Sequence, residues 1–263
     1  MTFPKYKNKH LEEALVNPGQ IVKILKSKIK FPSRCIIFYD RKLFNYVKRK
    51  YKPKKIKELS KVHTDFYLYK NIGLIRIRGI GCPMAAVVLE EFIERGGKTF
   101  LNIGTAGGLQ YEGIFLCTKA LRDEGTSYHY LPHGDYTFPD EELTKKFSKV
   151  LEKNKLKYSE GVTWTIDAPY RETKREIAHY KKKGVSTVEM EASALFAVAK
   201  LKKVKIASAF VVSDVLGDKW EVNFDKFEVK NGLRRLFDSA VECLGKWDEN
   251  KNKKIDIANS KTC

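Results

Sequence analysis

The sequence predicts an α/β protein built as a three-layer α/β/α sandwich. Segments with helical and strand periodicity alternate along all 263 residues, the pattern of a sheet covered by helices on both faces. The run Thr99-Phe-Leu-Asn-Ile103 is almost continuously apolar, as expected of a strand buried on both faces rather than one half-exposed to water. No Pro/Ser-rich linker interrupts the alternation, so a single domain is expected over 1–263, with a helical extension at 1–30 and a polar, flexible tail at 248–263.

The elements follow in order. Leu11 to Lys28 reads as a helix with a break signal at Asn17-Pro18-Gly19. Arg34 to Tyr39 is short, β-branched and aromatic, hence a strand, and Arg41 to Lys50 is an amphipathic helix with Leu43, Phe44 and Val47 on one face. Asp65 to Tyr69 and Ile72 to Arg78 form a predicted hairpin turning near Asn71 or Gly73. Gly79-Ile-Gly-Cys-Pro-Met84 is a turn into a helix over Ala85 to Arg95, which stops at Gly96-Gly97. Thr99 to Ile103 is followed by a glycine turn, Gly104 to Gly108. Further strands are predicted at Ile114–Ala120, Tyr158–Ile166, Thr187–Met190 and Ile206–Ser213, and helices at Asp140–Lys153, Thr173–Lys183, Glu191–Lys202 and Phe224–Trp247.

Composition narrows the function classes. The chain carries 51 Lys+Arg against 32 Asp+Glu, a formal net charge of +19, and only 11 of the basic residues are arginine. Such charge attracts polyanions. Here the lysines are spread from Lys5 to Lys261, and their densest stretch, Lys48 to Lys61, contains Pro53 and reads as an exposed helix end and loop. No RNP, helix-turn-helix or zinc-finger pattern accompanies them, so no nucleic-acid partner is expected. The longest apolar runs, such as Ile206 to Val212, are too short to span a bilayer, and residues 1–5 show no secretory h-region. Five widely spaced cysteines without a C-x-x-C pair fit a reducing, cytoplasmic setting and offer no metal ligand set.

Chemistry concentrates in four places. Gly79-Ile-Gly81 and Gly104-Thr-Ala-Gly-Gly108 each follow a strand, and glycine lets backbone N–H groups approach an oxyanion closely. The first lacks the third glycine of a dinucleotide fingerprint and the second lacks the lysine of a phosphate-binding P-loop; on glycine alone each is as much a tight turn as an anion site. Val188-Glu-Met-Glu-Ala192 carries a strand into a helix with Glu189 and Glu191 at the junction. Glu191 is either a first-turn acid favoured by the helix dipole or a carboxylate at a strand's carboxyl end, facing a ligand crevice and able to accept from two vicinal hydroxyls. Ser213-Asp214 puts a second acid at the same edge; read by itself, Asp214 is a cap or loop acid.

Together, Gly79-Ile-Gly-Cys-Pro83, Asn102-Ile-Gly-Thr-Ala-Gly-Gly-Leu109, Thr165-x-Asp167-x-x-Tyr170, Val188-Glu-Met-Glu-Ala192 and Val212-Ser-Asp214 resemble, in order and spacing, the purine nucleoside and uridine phosphorylase family. The resemblance runs from about Arg34 to Trp247. It implies a three-layer α/β/α sandwich around a mixed, partly barrel-like β-sheet, homo-oligomers (dimers, or hexamers as trimers of dimers), and a nucleoside as substrate. The implied reaction cleaves the N-glycosidic bond with inorganic phosphate as co-substrate and no other cofactor. Carried over by position, Met190 and Glu191, with Glu189 beside them, hold the ribose. Gly104 and Thr105 contact phosphate, Asp214 protonates or hydrogen-bonds N7 of a purine, and Gly81, Asp167, Tyr170 and Arg171 lie around the base. An acid at 214 favours purines over pyrimidines. The family's phosphate arginine ordinarily precedes the Ile-Gly-Thr sequence, where this chain has Asn102, and the family's Pro-Gly-Asp-Pro loop after the first strand is replaced by Asp40-Arg41-Lys42. Arg41 is the expected substitute, with Lys42, Arg76 and Arg78 as alternatives. Hydrolytic nucleosidases, which use water instead of phosphate, are related to the same family.

Overall fold

The computed structural model describes residues 3–6, 8–24, 31–60, 62–110, 112–217 and 219–246. After a 3-10 turn at Lys9–Leu11 come α1 (Pro18–Ile24), β1 (Arg34–Phe38), α2 (Arg41–Tyr51), β2 (Lys54–Lys55), β3 (Thr64–Tyr69), β4 (Ile72–Ile77) and α3 (Cys82–Glu94). Then follow β5 (Thr99–Gly108), β6 (Ile114–Asp123), β7 (Tyr136–Thr137), α4 (Glu141–Lys153), β8 (Tyr158–Ile166) and α5 (Lys174–Lys182). The last are β9 (Val185–Glu189), α6 (Ala192–Lys202), β10 (Lys205–Leu216), β11 (Trp220–Val222) and α7 (Phe227–Gly245).

All the strands belong to one mixed sheet. Five of them close into a ring: β5 pairs with β10, β10 with β6, β6 with β8, β8 with β9, and β9 returns to β5. From β5 a flange extends through β1, β4, β3 and β2. The expected partly barrel-like sheet is therefore a closed five-stranded barrel with an open extension.

Period-2 alternation sorts each strand's side chains to two helical layers. Ile36 and Phe38 of β1, Leu101 and Ile103 of β5 and Ala207, Ala209 and Val211 of β10 pack with α2, α4 and α7. Their neighbours Cys35, Ile37, Phe100, Ile206 and Phe210 pack with α3 and α6. That makes the sandwich. The helix starts are fixed locally: Asp40 caps α2 by accepting from the Leu43 N–H, Asp140 caps α4 through the Leu143 N–H at 2.7 Å, and Thr173 with Glu176 forms a capping box on α5. Each cap stabilises its helix by about 1 kcal/mol.

The differences from expectation are physical. The predicted helix Leu11–Lys28 begins only at Pro18, because Asn17 and Gln20 exchange side-chain-to-backbone hydrogen bonds of 3.1 Å that cap it there; residues 25–28 lie outside the described residues. Within 48–61, helix α2 runs on to Tyr51 and ends on Lys52 in the left-handed region, and Lys54–Lys55 then pair with β3. The Gly104–Gly108 turn is in fact strand: β5 runs through it because β9 and β10 both pair there. Helix α7 starts at Phe227 rather than Phe224, and the tail expected at 248–263 lies outside the described residues.

Candidate active site

A cleft of about 1040 Å³ opens where β1, β4 and β9 end and β5 and β10 run through their second halves. This is the carboxyl-end position at which open α/β sheets take ligands. One wall is the β9–α6 junction. Glu189 Oε2 accepts from the backbone N–H groups of Glu191 (2.8 Å) and Ala192 (2.7 Å), and its Oε1 accepts from the Thr165 hydroxyl at 2.5 Å. Glu189 thus satisfies two of the orphan donors at the start of α6, although it precedes the N-cap position occupied by Glu191, and Thr165 Oγ1 accepts from a third, the Ser193 N–H, at 3.1 Å. Glu191 is thereby released from capping. Its Oε1 instead accepts from the Gly81 N–H at 2.6 Å, and Gly81 can present that N–H because it sits at φ +97°, a conformation glycine adopts without steric penalty. Behind this wall the Cys82 thiol donates to the Met190 carbonyl at 3.1 Å. Burial raises the pKa of both Glu189 and Glu191 above the ordinary carboxylate range.

The opposing feature is a bulge in β10. Val212 is in register with Ala106, and Asp214 with Gly107, so Ser213 is the extra residue. Bulges re-aim side chains beside active sites; here Ser213 and Asp214 both line the cleft. Asp214 Oδ1 accepts from the Ser213 hydroxyl and Oδ2 from the Trp220 indole N–H, each at 2.8 Å. Glu172 lines the same cleft. Half-burial, reinforced by the negative charge of Asp214, pushes its carboxyl up to about 7.

The neutral Asn102 lies buried behind Tyr39, which lines the cleft. Its Oδ1 accepts from the Tyr39 hydroxyl at 3.0 Å and its Nδ2 donates to the Ser208 hydroxyl at 3.1 Å. Burial, with the Glu191 and Glu189 charges adding, holds the Tyr39 phenol well above its ordinary range. Arg76 and Arg78 also line the cleft, but both are committed to Asp65, Arg76 through Nη1 at 3.2 Å and Arg78 through Nε at 2.9 Å. Arg76 Nε further donates to the Tyr39 carbonyl at 3.3 Å, and Arg78 Nη1 to that of Val62 at 3.3 Å. The pair of guanidiniums holds the Asp65 carboxyl below its usual range.

The cleft gathers Gly104, Thr105, Tyr170, Glu189, Met190, Glu191 and Asp214 from the sequence-derived set, with Gly81 touching it through Glu191. Tyr170 is 97% exposed at the rim. Three residues lie elsewhere. Arg41 is exposed in the first turn of α2, where Asp40 rather than Arg41 faces the cleft. Asp167 turns its carboxylate to the Gly125 N–H at 2.8 Å. Arg171 ends an exposed 3-10 turn, and it is the next residue, Glu172, that lines the cleft. Glu172 and Trp220 also line the cleft, and no motif marks either of them. The only local signal was their proximity, two residues after Tyr170 and six after Asp214.

A closed barrel inside a three-layer sandwich, with carboxylates from β9–α6 and β10 converging at its mouth, defines an α/β protein with a small-molecule site. Residues 40–244 match the family model described as the Phosphorylase superfamily, and the chain belongs to that family, as its motifs implied. It is similar to the guanosine phosphorylase of Halorubrum lacusprofundi, 31% identical over 138 residues that cover 51% of this chain and 57% of that protein. It is also similar to the uridine phosphorylase of Thermococcus kodakarensis, 26% identical over 203 residues that cover 70% of this chain and 72% of that one. Among solved structures, a uridine phosphorylase from Vibrio fischeri superposes with a TM-score of 0.72 at 26% identity, covering 83% of this chain and 93% of its own. An AMP nucleosidase from Bacteroides thetaiotaomicron shares the fold, with a TM-score of 0.71 at 19% identity over 88% of this chain and 99% of its own. Among the described residues no helix is long and apolar enough to cross a membrane.

Proposed function

We propose that this protein cleaves the N-glycosidic bond of a purine nucleoside with inorganic phosphate, giving the free base and ribose 1-phosphate or its deoxy counterpart. The observation that carries the reading is the pairing, in one cleft, of Glu191 held by the Gly81 N–H with Asp214 held by Ser213 and Trp220. Glu191 accepts from the ribose hydroxyls beside Met190, and Glu189 keeps the β9–α6 turn in shape. A phosphate oxygen, placed near Gly104 and Thr105, forms the new bond to C1′. The C1′–N bond breaks with its electron pair passing to the base. The transition state is oxocarbenium-like; the phosphate anion stabilises the positive sugar, and Asp214 delivers or shares a proton with N7 as negative charge develops on the base. Tyr170 and Glu172 flank the base. No cofactor beyond phosphate enters the scheme.

Hydrolysis is a second reading, favoured by the neutral Asn102 being hydrogen-bonded to Tyr39 and Ser208 and by the commitment of Arg76 and Arg78 to Asp65. The test is base release from inosine, guanosine, adenosine and uridine with and without phosphate. Purine cleavage that requires phosphate supports phosphorolysis; equal rates without phosphate assign the protein to the nucleosidases, and faster uridine cleavage overturns the purine preference. Assembly as dimers or trimers of dimers belongs to the same proposal, supported by the exposed Ile80, Trp220 and Phe224 at the cleft mouth. So does a cytoplasmic location, supported by buried cysteines that are all free thiols among the described residues.

A further inference from the structure

Beside Thr105 a side pocket of about 90 Å³ adjoins the cleft and shares Asp40, Thr105, Ser213 and Phe224 with it. The volume holds several waters, the scale of a tetrahedral oxyanion. Three cations line it: Lys42 from α2, and Lys230 and Arg234 one turn apart on α7. Their commitments differ from those of the cleft arginines. Arg234 makes no ion pair among the described residues and rests its guanidinium 5.3 Å from the centre of the Tyr46 ring. Lys42 and Lys230 both reach Asp225, Lys230 at 3.1 Å, and the Asp225 side chain is 77% exposed, so water is ready to replace either partner. Of the pocket's own lining, Asp40 alone is acidic, and its Oδ1 is taken up by the Leu43 N–H.

We propose that this side pocket seats the attacking phosphate, with Arg234, Lys230 and Lys42 supplying the positive charge that Asn102 does not, and Thr105 on the shared wall next to the sugar. The inference rests on the phosphorolytic reading above. Asp225 is then a place-holding anion: phosphate draws Lys42 and Lys230 away from it, and Arg234 offers a planar fork for two of the phosphate oxygens. The set joins α2 to α7 across nearly 190 residues of chain, which is why no local motif announces it.

The experiment measures KM for phosphate and for the nucleoside separately in the wild type, Arg234→Met and Asp225→Asn. Arg234→Met is expected to raise the phosphate KM tenfold or more while the nucleoside KM stays within about twofold. Asp225→Asn is expected to lower the phosphate KM at least twofold, a gain that damaged folding cannot imitate, so this arm decides the matter should Arg234→Met fail to fold. A phosphate-dependent enzyme whose phosphate KM is untouched by both substitutions overturns the side pocket and leaves phosphorolysis standing. A wild type whose rate ignores phosphate overturns both.

Discussion

Asp214→Asn separates proton delivery from everything else the residue does. The side chain is buried, and its two oxygens have one donor each, the Ser213 hydroxyl and the Trp220 indole N–H at 2.8 Å. An asparagine of the same shape keeps both contacts: its oxygen accepts from Trp220 and its amide donates to Ser213 Oγ, which holds an alternative acceptor in the Ala106 carbonyl at 3.4 Å. What disappears is the acid. General acid catalysis is worth roughly 10²- to 10⁴-fold, about 2.7–5.4 kcal/mol at 1.36 kcal/mol per factor of ten, and kcat on inosine should fall within that range. Trp220→Phe supplies the scale for a lost contact alone. A hydrogen bond to a charged group contributes ~1.5–3 kcal/mol when buried, but Trp220 is 60% exposed, so water replaces it and about fivefold is expected. The decisive assay adds 4-nitrophenyl riboside, whose leaving group departs without a proton. Asp214→Asn should cleave it at close to the wild-type rate. Equal loss on both substrates, or no loss on inosine, would refute the role given to Asp214.

Three further outcomes follow from the same geometry. Because Glu172 titrates near 7 beside Asp214, its ionisation places a negative charge where negative charge develops on the departing base; kcat/KM should decline above about pH 7, and Glu172→Gln should move that limb upward, which an unchanged profile would contradict. Glu189 and Glu191 titrate higher in the fold than their ordinary value of 4.5, so the folded state binds more protons than the unfolded chain between that value and the raised ones. Their contribution to stability is complete below about pH 4.5 and fades as pH rises through neutrality; Tm of the unliganded protein should drop from about pH 5 to pH 8, less steeply in Glu189→Gln, and parallel slopes would refute it. Gly97→Ala places a Cβ 2.4 Å from Phe100 Cζ and 2.9 Å from the Phe92 carbonyl oxygen; overpacking of that kind costs about 1–3 kcal/mol, read as a Tm lower by several degrees, with kcat unaffected.

Much of this was legible from residue order. Strand Tyr158–Ile166 and the helix after Asp140 appear where periodicity and the cap put them, because local pattern and tertiary burial agree there. Gly104–Gly108 misled for a tertiary reason. Read locally, glycines end a strand, yet a Cβ at Gly107 would stand 2.4 Å from Leu216 Cδ1 and 3.0 Å from Val188 Cγ1, so ring closure needs glycine inside β5. The β9–α6 carboxylates and Asp214 were visible as motifs. Their division of labour was not: which of Glu189 and Glu191 caps α6 is decided by Thr165 and Gly81, residues 24 and 110 positions away. Arg41 and Lys42 are equivalent in sequence, and only the packing of α2 against α7 sets Lys42 beside Lys230 and Arg234.

Ring closure also dictates an order of events during synthesis. Strand β5 emerges early and finds β1 already made along half of one edge, but β9, which continues that edge, and β10, which covers the opposite one, come from residues 185–216. Until then a growing chain carries an apolar strand with one edge unpaired, a state exposed to misassociation while translation proceeds. The same late strand brings Ser213 and Asp214. A chain interrupted before β10 therefore has neither a closed barrel nor its second carboxylate, and only a complete ring ever meets substrate with the site formed.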